Sequence, residues 1–400
     1  MSIKIFSRWL YLTALVAIFV AFAITGAPTT GRAASFLGDD VLIGRADGQI
    51  DVYRIGQLNR SLSINDGLEY RVRGLCFSTN GKYLYVTSAK YERPIDKWTG
   101  RISRFDDNGI LINSSFVSDL QPNQIPHSCI VDAAGYLYVE VRGHADQSPS
   151  VRKYDSAGRQ VRQFSVPTDT GDYGSIDLLA DQRTLVYVTG SRIRRFDVIN
   201  NAPLSDFVNI STLPLSYNGN CGAVRVRQNG EIWANCNSQQ FDTVSEVLRL
   251  RATGQLIPND PPHYSVFRAS PKFSSDAVSF WVIQWNGVGR PTYVSKIGID
   301  TEGERPVDIG NDVMSAVDYG SFAIYGEYTA ATTQCSDGID NDGDSKTDFP
   351  ADLYCKSPSQ AYESPCWKVV NHLICLGGPI PWVHMYPAYS TLSTQFRQGR

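Results

Sequence analysis

The residues best suited to chemistry lie towards the C-terminal end of the chain, in the run Cys335-Ser-Asp-Gly-Ile-Asp340-Asn-Asp342-Gly-Asp344-Ser-Lys-Thr-Asp348-Phe-Pro-Ala-Asp352-Leu-Tyr-Cys355. Six carboxylates, Asp337, Asp340, Asp342, Asp344, Asp348 and Asp352, fall within 16 residues. Left unneutralised they would repel one another. Calcium, a hard cation that takes six to eight oxygen ligands, removes that repulsion when acids alternate in a turning loop. Asp340, Asp342, Asp344 and Asp348 stand at positions 1, 3, 5 and 9 of such a loop. No Glu stands at position 12, so Asp352 or Asp337 would complete the shell. The expected cofactor is therefore calcium in a structural role, since an all-carboxylate cage activates little chemistry. The plainer alternative is a solvated acidic loop closed by a Cys335–Cys355 disulfide.

Nothing else in the sequence converges so clearly. Of five histidines, His127 lies at the start of an inner strand, and His144 and His263 lie in loop contexts without ligand spacing. There is no Gly-x-Ser-x-Gly elbow and no phosphate-binding glycine loop. Asp177 and Asp318 are inner-strand carboxylates that a channel metal would use, but no motif singles them out.

These residues need a scaffold, and a repeated strand phrase defines it. Gln49-Ile-Asp-Val-Tyr53, Arg101-Ile-Ser-Arg-Phe105, Ser150-Val-Arg-Lys-Tyr154, Arg192-Ile-Arg-Arg-Phe196, Glu246-Val-Leu-Arg-Leu250 and Tyr293-Val-Ser-Lys-Ile297 recur at a spacing of about 49 residues. Each alternates apolar and polar positions, the period-2 pattern of a strand with one buried face. A second series precedes it: Tyr83-Leu-Tyr-Val86, Tyr136-Leu-Tyr-Val139, Leu185-Val-Tyr-Val188, Ile232-Trp-Ala234 and Phe280-Trp-Val282. Several short strands per repeat of this length predict an all-β, six-bladed β-propeller with a small disulfide-bonded C-terminal appendage. The first repeat lacks its inner strand. Val313-Met-Ser-Ala-Val-Asp-Tyr319, with Phe322-Ala-Ile-Tyr325, follows the sixth and would close the ring, hiding the open sheet edges. The cations of the repeated phrase, Arg104, Arg152, Arg194, Arg249 and Lys296, are expected on blade sides with their stems over apolar neighbours.

The stretch Pro126-His-Ser-Cys-Ile-Val-Asp-Ala-Ala-Gly-Tyr-Leu-Tyr-Val139 resembles the blade phrase of NHL-type propellers. That resemblance implies a fold and not an activity. Among enzymatic propellers, gluconolactonase-type proteins hold a metal through a Glu, Asn and Asp set on inner strands; the corresponding stretches here read Val72-Arg-Gly74 and Pro126-His-Ser128. Peptide-amidating lyases use three histidines from different blades, and streptogramin lyases repeat a Pro-His/Tyr-Gly phrase; neither pattern is present. The acidic segment is similar to EF-hand-like and thrombospondin type 3 loops and to a disulfide-closed module of secreted bacterial proteins. Ser345 replaces the usual Gly and Leu353-Tyr354 the usual Pro-Gly.

The chain opens with Lys4 and Arg8, an apolar run from Trp9 to Ile24, and small residues to Ala33. At roughly 16 residues the run falls short of the ~20 a spanning helix needs, so residues 1–33 read as a secretory signal. The propeller is expected over 38–330, the calcium loop over 335–355 and a Cys/aromatic tail over 356–400. All eight cysteines lie beyond the signal, as in an oxidising compartment. A four-residue loop Arg227–Gly230 would set Cys221 opposite Cys236. Cys76 and Cys129 hold the same position in neighbouring repeats and could pair near the axis. Cys335–Cys355 and Cys366–Cys375 complete the set. A net charge of −3 without a basic cluster argues against nucleic acid. The partner expected is an extracellular protein or glycan, bound by a monomer without a membrane span. The competing expectation is an enzyme, a lyase or lactone hydrolase with a metal in the channel.

Overall fold

In a computed structural model of the protein, the repeated phrase becomes the third strand of six separate sheets. The described residues are 35–64, 69–144, 149–168, 175–213, 221–227, 229–237, 245–257, 271–275, 279–285, 292–299, 306–308, 314–316, 322–327, 346, 366–369 and 372–375. Blade 1 contains β1 (Val41–Gly44), β2 (Gln49–Arg54) and β3 (Gln57–Ser63). Blade 2 contains β4 (Arg71–Phe77), β5 (Tyr83–Glu92), β6 (Lys97–Asp106) and β7 (Leu111–Asn113). Blade 3 runs through β8 (Gln124–Val131), β9 (Leu137–Gly143), β10 (Ser150–Tyr154) and β11 (Gln160–Phe164). Blade 4 has β12 (Ile176–Leu178), β13 (Thr184–Thr189) and β14 (Arg192–Asp197), with β15 (Ala202–Pro203) and β16 (Val208–Asn209) both on the outer edge of β14. Blade 5 has β17 (Cys221–Val226), β18 (Ile232–Asn237) and β19 (Ser245–Leu250). Blade 6 has β20 (Lys272–Phe273), β21 (Ser279–Trp285), β22 (Thr292–Ile299), β23 (Pro306–Asp308) and β24 (Met314–Ala316).

The ring closes as a six-bladed propeller. β25 (Phe322–Ile324) returns to pair antiparallel with β1, matching Val41 to Ile324, and supplies the inner strand that blade 1 lacks. Of the two segments expected to close the ring, only the second does so. Residues 314–316 stay in blade 6, paired with β22. Asp39 secures the seam. Its carboxylate accepts from Ser274 Oγ, from the Ser275 N–H and, at 2.6 Å, from Lys296 Nζ.

Six apolar clusters fill the six gaps between successive blades, from Leu42, Val52, Leu75 and Leu84 between blades 1 and 2 to Ile43, Trp281, Val294 and Phe322 between blades 6 and 1. The alternation of the strands makes this possible, because each blade presents an apolar face to its neighbour.

The fourth position of the repeated phrase carries a cation across from an aromatic on the second strand: Arg104 faces Tyr85, Lys153 faces Tyr138, Arg249 faces Trp233 and Lys296 faces Trp281. Lys153 Nζ lies 4.7 Å from the Tyr138 ring centre and the Arg249 guanidinium 4.9 Å from that of Trp233. Such stacking is worth ~0.5–2 kcal/mol each, more when water is excluded. Arg152 and Arg249 are buried whole, with Asp119 and Glu231 as their respective partners, and so depart from the expected solvent-tipped arrangement.

Two of the expected disulfides are formed. Cys76–Cys129 joins the inner strands of blades 2 and 3, and Cys221–Cys236 crosses β17 and β18. The second arises differently from the expected route. Val226 pairs with Ile232, leaving five residues in the turn, and a bulge at Gly222 restores the alignment of Cys221 with Cys236. β26 (Cys366–Val369) and β27 (His372–Cys375) form a hairpin whose register sets residues 366 and 375 opposite each other. Residues 1–33 and the Cys335–Cys355 segment, Lys346 apart, lie outside the described residues.

Candidate functional site in the propeller channel

The inner strands β4, β8, β12, β17, β20 and β25 surround the axis with their free edges inward, a row of N–H and C=O groups that need partners. Side chains from neighbouring blades supply several. Ser128 Oγ accepts from the Ile176 N–H at 3.3 Å, Ser175 Oγ from Val224 at 2.7 Å, Asp177 Oδ2 from Val226 at 2.7 Å and Glu327 Oε1 from Phe273 at 3.0 Å. Thr87 Oγ1 donates to the His127 carbonyl. Gly74 lets β4 and β8 approach this closely, because a Cβ there would collide with that carbonyl.

One layer of the channel is ionic. Asp177, Arg225 and Lys272 hold the same place on three consecutive inner strands, across from Val186, Trp233 and Trp281. Glu327, just past β25, joins them. Arg225 Nη2 lies 2.6 Å from Glu327 Oε2, its Nε 2.8 Å from Oε1, and its Nη1 3.2 Å from Asp177 Oδ2. Burial pushes the Asp177 carboxyl up, and Arg225 and the Val226 and Leu178 amides only partly counter it. Burial likewise opposes the charge on Arg225, but Asp177 and Glu327 outweigh it and keep the guanidinium charged. Lys272 is brought down to about 8 by burial, against the pull of Glu327 and Asp177. Its side chain is nonetheless partly reachable by solvent. Deep placement combined with partial access is what a channel-lining group shows.

A second layer is built by β-bulges. The ladder between inner and second strand slips once in blade 2 (after Val72), once in blade 3 (after Pro126) and once in blade 5 (after Cys221). All three slips follow the residue opposite equivalent second-strand positions, Ser88, Val141 and Cys236, so they lie at one height. Bulges re-aim side chains out of the ladder. The residues released here are Arg73, the pair His127 and Ser128, and Gly222. Glu140, fully buried, accepts from Ser128 Oγ at 2.6 Å and from Arg142 Nε at 2.7 Å. Burial, with Arg142 and Arg73 nearby, drives His127 well below the usual imidazole range, so it is neutral at pH 7. Burial and the like charges of Arg71 and Arg142 act against the charge on Arg73. The Arg73 guanidinium stacks 5.2 Å from the Trp98 ring centre, and its buried Nε has no hydrogen-bond partner.

Trp98 belongs to the long β5–β6 hairpin, whose strands each run 10 residues. Tyr91 pairs with Trp98 across it, ring centres 5.0 Å apart. Asn123 docks the hairpin onto the start of β8 by accepting from the Trp98 N–H and donating to its carbonyl, both at 2.9 Å.

The six acids of the predicted calcium loop, Asp337, Asp340, Asp342, Asp344, Asp348 and Asp352, lie outside the described residues, as do Asp318 and His263. His144 sits in a loop, 3.3 Å from Asp96. Among the described residues no three His, Cys, Asp or Glu side chains converge as metal ligands would. Sequence reasoning passed over Arg73, Glu140, Arg225, Lys272 and Glu327. Only Arg73 had left a signal: it and His127 occupy the Val72–Gly74 and Pro126–Ser128 stretches already compared with ligand-bearing phrases. A cavity of about 170 Å³ between blades 6 and 1 is lined by Asp39, Tyr53, Arg54, Trp281 and Lys296. Its charges are spent on the closing seam.

No family model and no curated protein matches the chain. Solved structures similar to it include TolB from Acinetobacter baumannii, 13% identical, covering 72% of this chain and 68% of that one, with a TM-score of 0.45. The calcium-binding protein regucalcin from Agrobacterium tumefaciens is 16% identical over 64% of this chain and 88% of its own, with a TM-score of 0.42. A protein from Lactobacillus plantarum is 13% identical over 72% and 99%, with a TM-score of 0.46. Identities and scores this low carry no argument about ligand or activity.

Proposed function

We propose that the protein is an exported, calcium-clipped propeller that acts as a binding module for an extracellular protein or glycan. One observation carries this reading. The described channel carboxylates are already engaged: Asp177 by Arg225 and the Val226 amide, Glu327 by Arg225 and the Phe273 amide, Glu140 by Ser128 and Arg142. Export rests on the composition of residues 1–33 and on disulfides, which persist in oxidising compartments. Calcium rests on the spacing of Asp337 to Asp352.

A second reading, a lyase or lactone hydrolase, is favoured by Lys272. An amine brought down to about 8 in a channel is suited to general base or nucleophilic work. Native mass spectrometry of the secreted protein, before and after chelation, separates the two. One calcium, lost on replacing Asp342 and Asp344, together with ligand capture without turnover, supports the binding module. A metal that persists in that variant, or turnover of a lactone or a uronate polymer abolished by Lys272→Met, overturns it.

A further inference from the structure

Among the described residues, the bulge layer brings three guanidinium groups, Arg71, Arg73 and Arg142, near one another. Arg142 is matched by Glu140, while Arg71 and Arg73 bring like charge to the same place. Burying a cation without an anion is costly, and a buried donor left unmade adds to that cost. Arg73, partly buried, bears a share of both, since its Nε is buried without a partner. Three bulges at one height are an unusual expense of ladder hydrogen bonds. They make sense if they aim Arg73 and His127 at something in the channel.

We propose that the bulge layer binds a carboxylate carried by a sugar acid, with Arg73 as the principal contact and Arg71 widening the cationic face. A guanidinium presents two parallel N–H groups that match a carboxylate. The neutral His127 offers one further hydrogen bond without competing charge. Trp98, stacked on Arg73 and paired with Tyr91, adds aromatic surface of the kind that accepts a sugar ring. This deepens the binding reading by naming its ligand class, and depends on that reading only in placing a ligand at the channel.

The test is isothermal titration calorimetry of the full secreted protein with galacturonate, with its neutral methyl ester, with acetate and with inorganic phosphate. The acid is expected to bind at least about tenfold more tightly than the ester, and to weaken as salt rises from about 20 to about 200 mM, the range over which screening sets in. Arg73→Gln is expected to lose about tenfold in affinity with an unchanged fold by circular dichroism. Should that variant fail to fold, Arg71→Gln, at an exposed position, is expected to lose about threefold. Equal binding of acid and ester, or tighter binding of acetate or phosphate than of galacturonate, overturns the proposal. Turnover of galacturonate-containing material would overturn the binding-module reading and leave the carboxylate site standing.

Discussion

Replacing Arg225 by Met removes one guanidinium and strands two carboxylates. Arg225 satisfies both oxygens of Glu327, at 2.6 and 2.8 Å, and one of Asp177, at 3.2 Å. Asp177 is buried and already pushed up by burial with Arg225 in place. Met fills similar volume, so the loss is electrostatic rather than a cavity. Breaking a buried pair by removing one partner costs about 3–5 kcal/mol, and at roughly 2–4 °C per kcal/mol the melting midpoint should fall by about 10 °C. The pH dependence identifies the cause. Without Arg225 the folded-state Asp177 pKa rises further above its unfolded value, so the folded protein gains protons as pH falls and the deficit against the native protein narrows. Urea midpoints at pH 7 and pH 4.5 would measure this, with Arg225→Met/Glu327→Gln recovering part of the loss. A deficit under 1 kcal/mol, taken as roughly the scale of an ordinary surface change, or one independent of pH, would refute the account.

Three further outcomes follow from the same geometry. Because Lys272 titrates near 8 when folded and at about 10.4 when unfolded, the unfolded chain binds the extra proton between those values and stability rises there by on the order of 3 kcal/mol. Lys272→Met should flatten that rise in paired urea titrations at pH 8 and 10; parallel curves would count against it. Replacing Cys221 and Cys236 together by Ser should cost about 3 kcal/mol for their separation of 15 residues, read as a lower urea midpoint with a somewhat steeper slope, because the uncrosslinked denatured chain exposes more surface. Millimolar calcium should raise the melting temperature, with Asp342→Ala removing most of the gain; a melting curve indifferent to calcium would sink the loop assignment.

The sequence was enough to predict six blades, because period-2 alternation and a fixed repeat length are local properties that each blade states for itself. It also marked the second and third strands of almost every blade, and paired Cys76 with Cys129 by their shared position. What it could not decide depended on the count of residues between strands. The Cys221–Cys236 bridge was expected from a four-residue turn and is reached by a five-residue turn with a bulge, two deviations that cancel and leave no trace in the spacing. The choice between residues 314–316 and 322–324 as the closing strand rested on which segment could reach β1 after blade 6 had taken its edge, a question of the closed ring. The channel chemistry was the least legible. Asp177, Arg225, Lys272 and Glu327 are far apart in the chain, and no motif links them. They become one ionic layer because successive inner strands repeat at the same height around a common axis. Arg73 and His127 are released from the ladder by slips in register, which only the paired strands reveal.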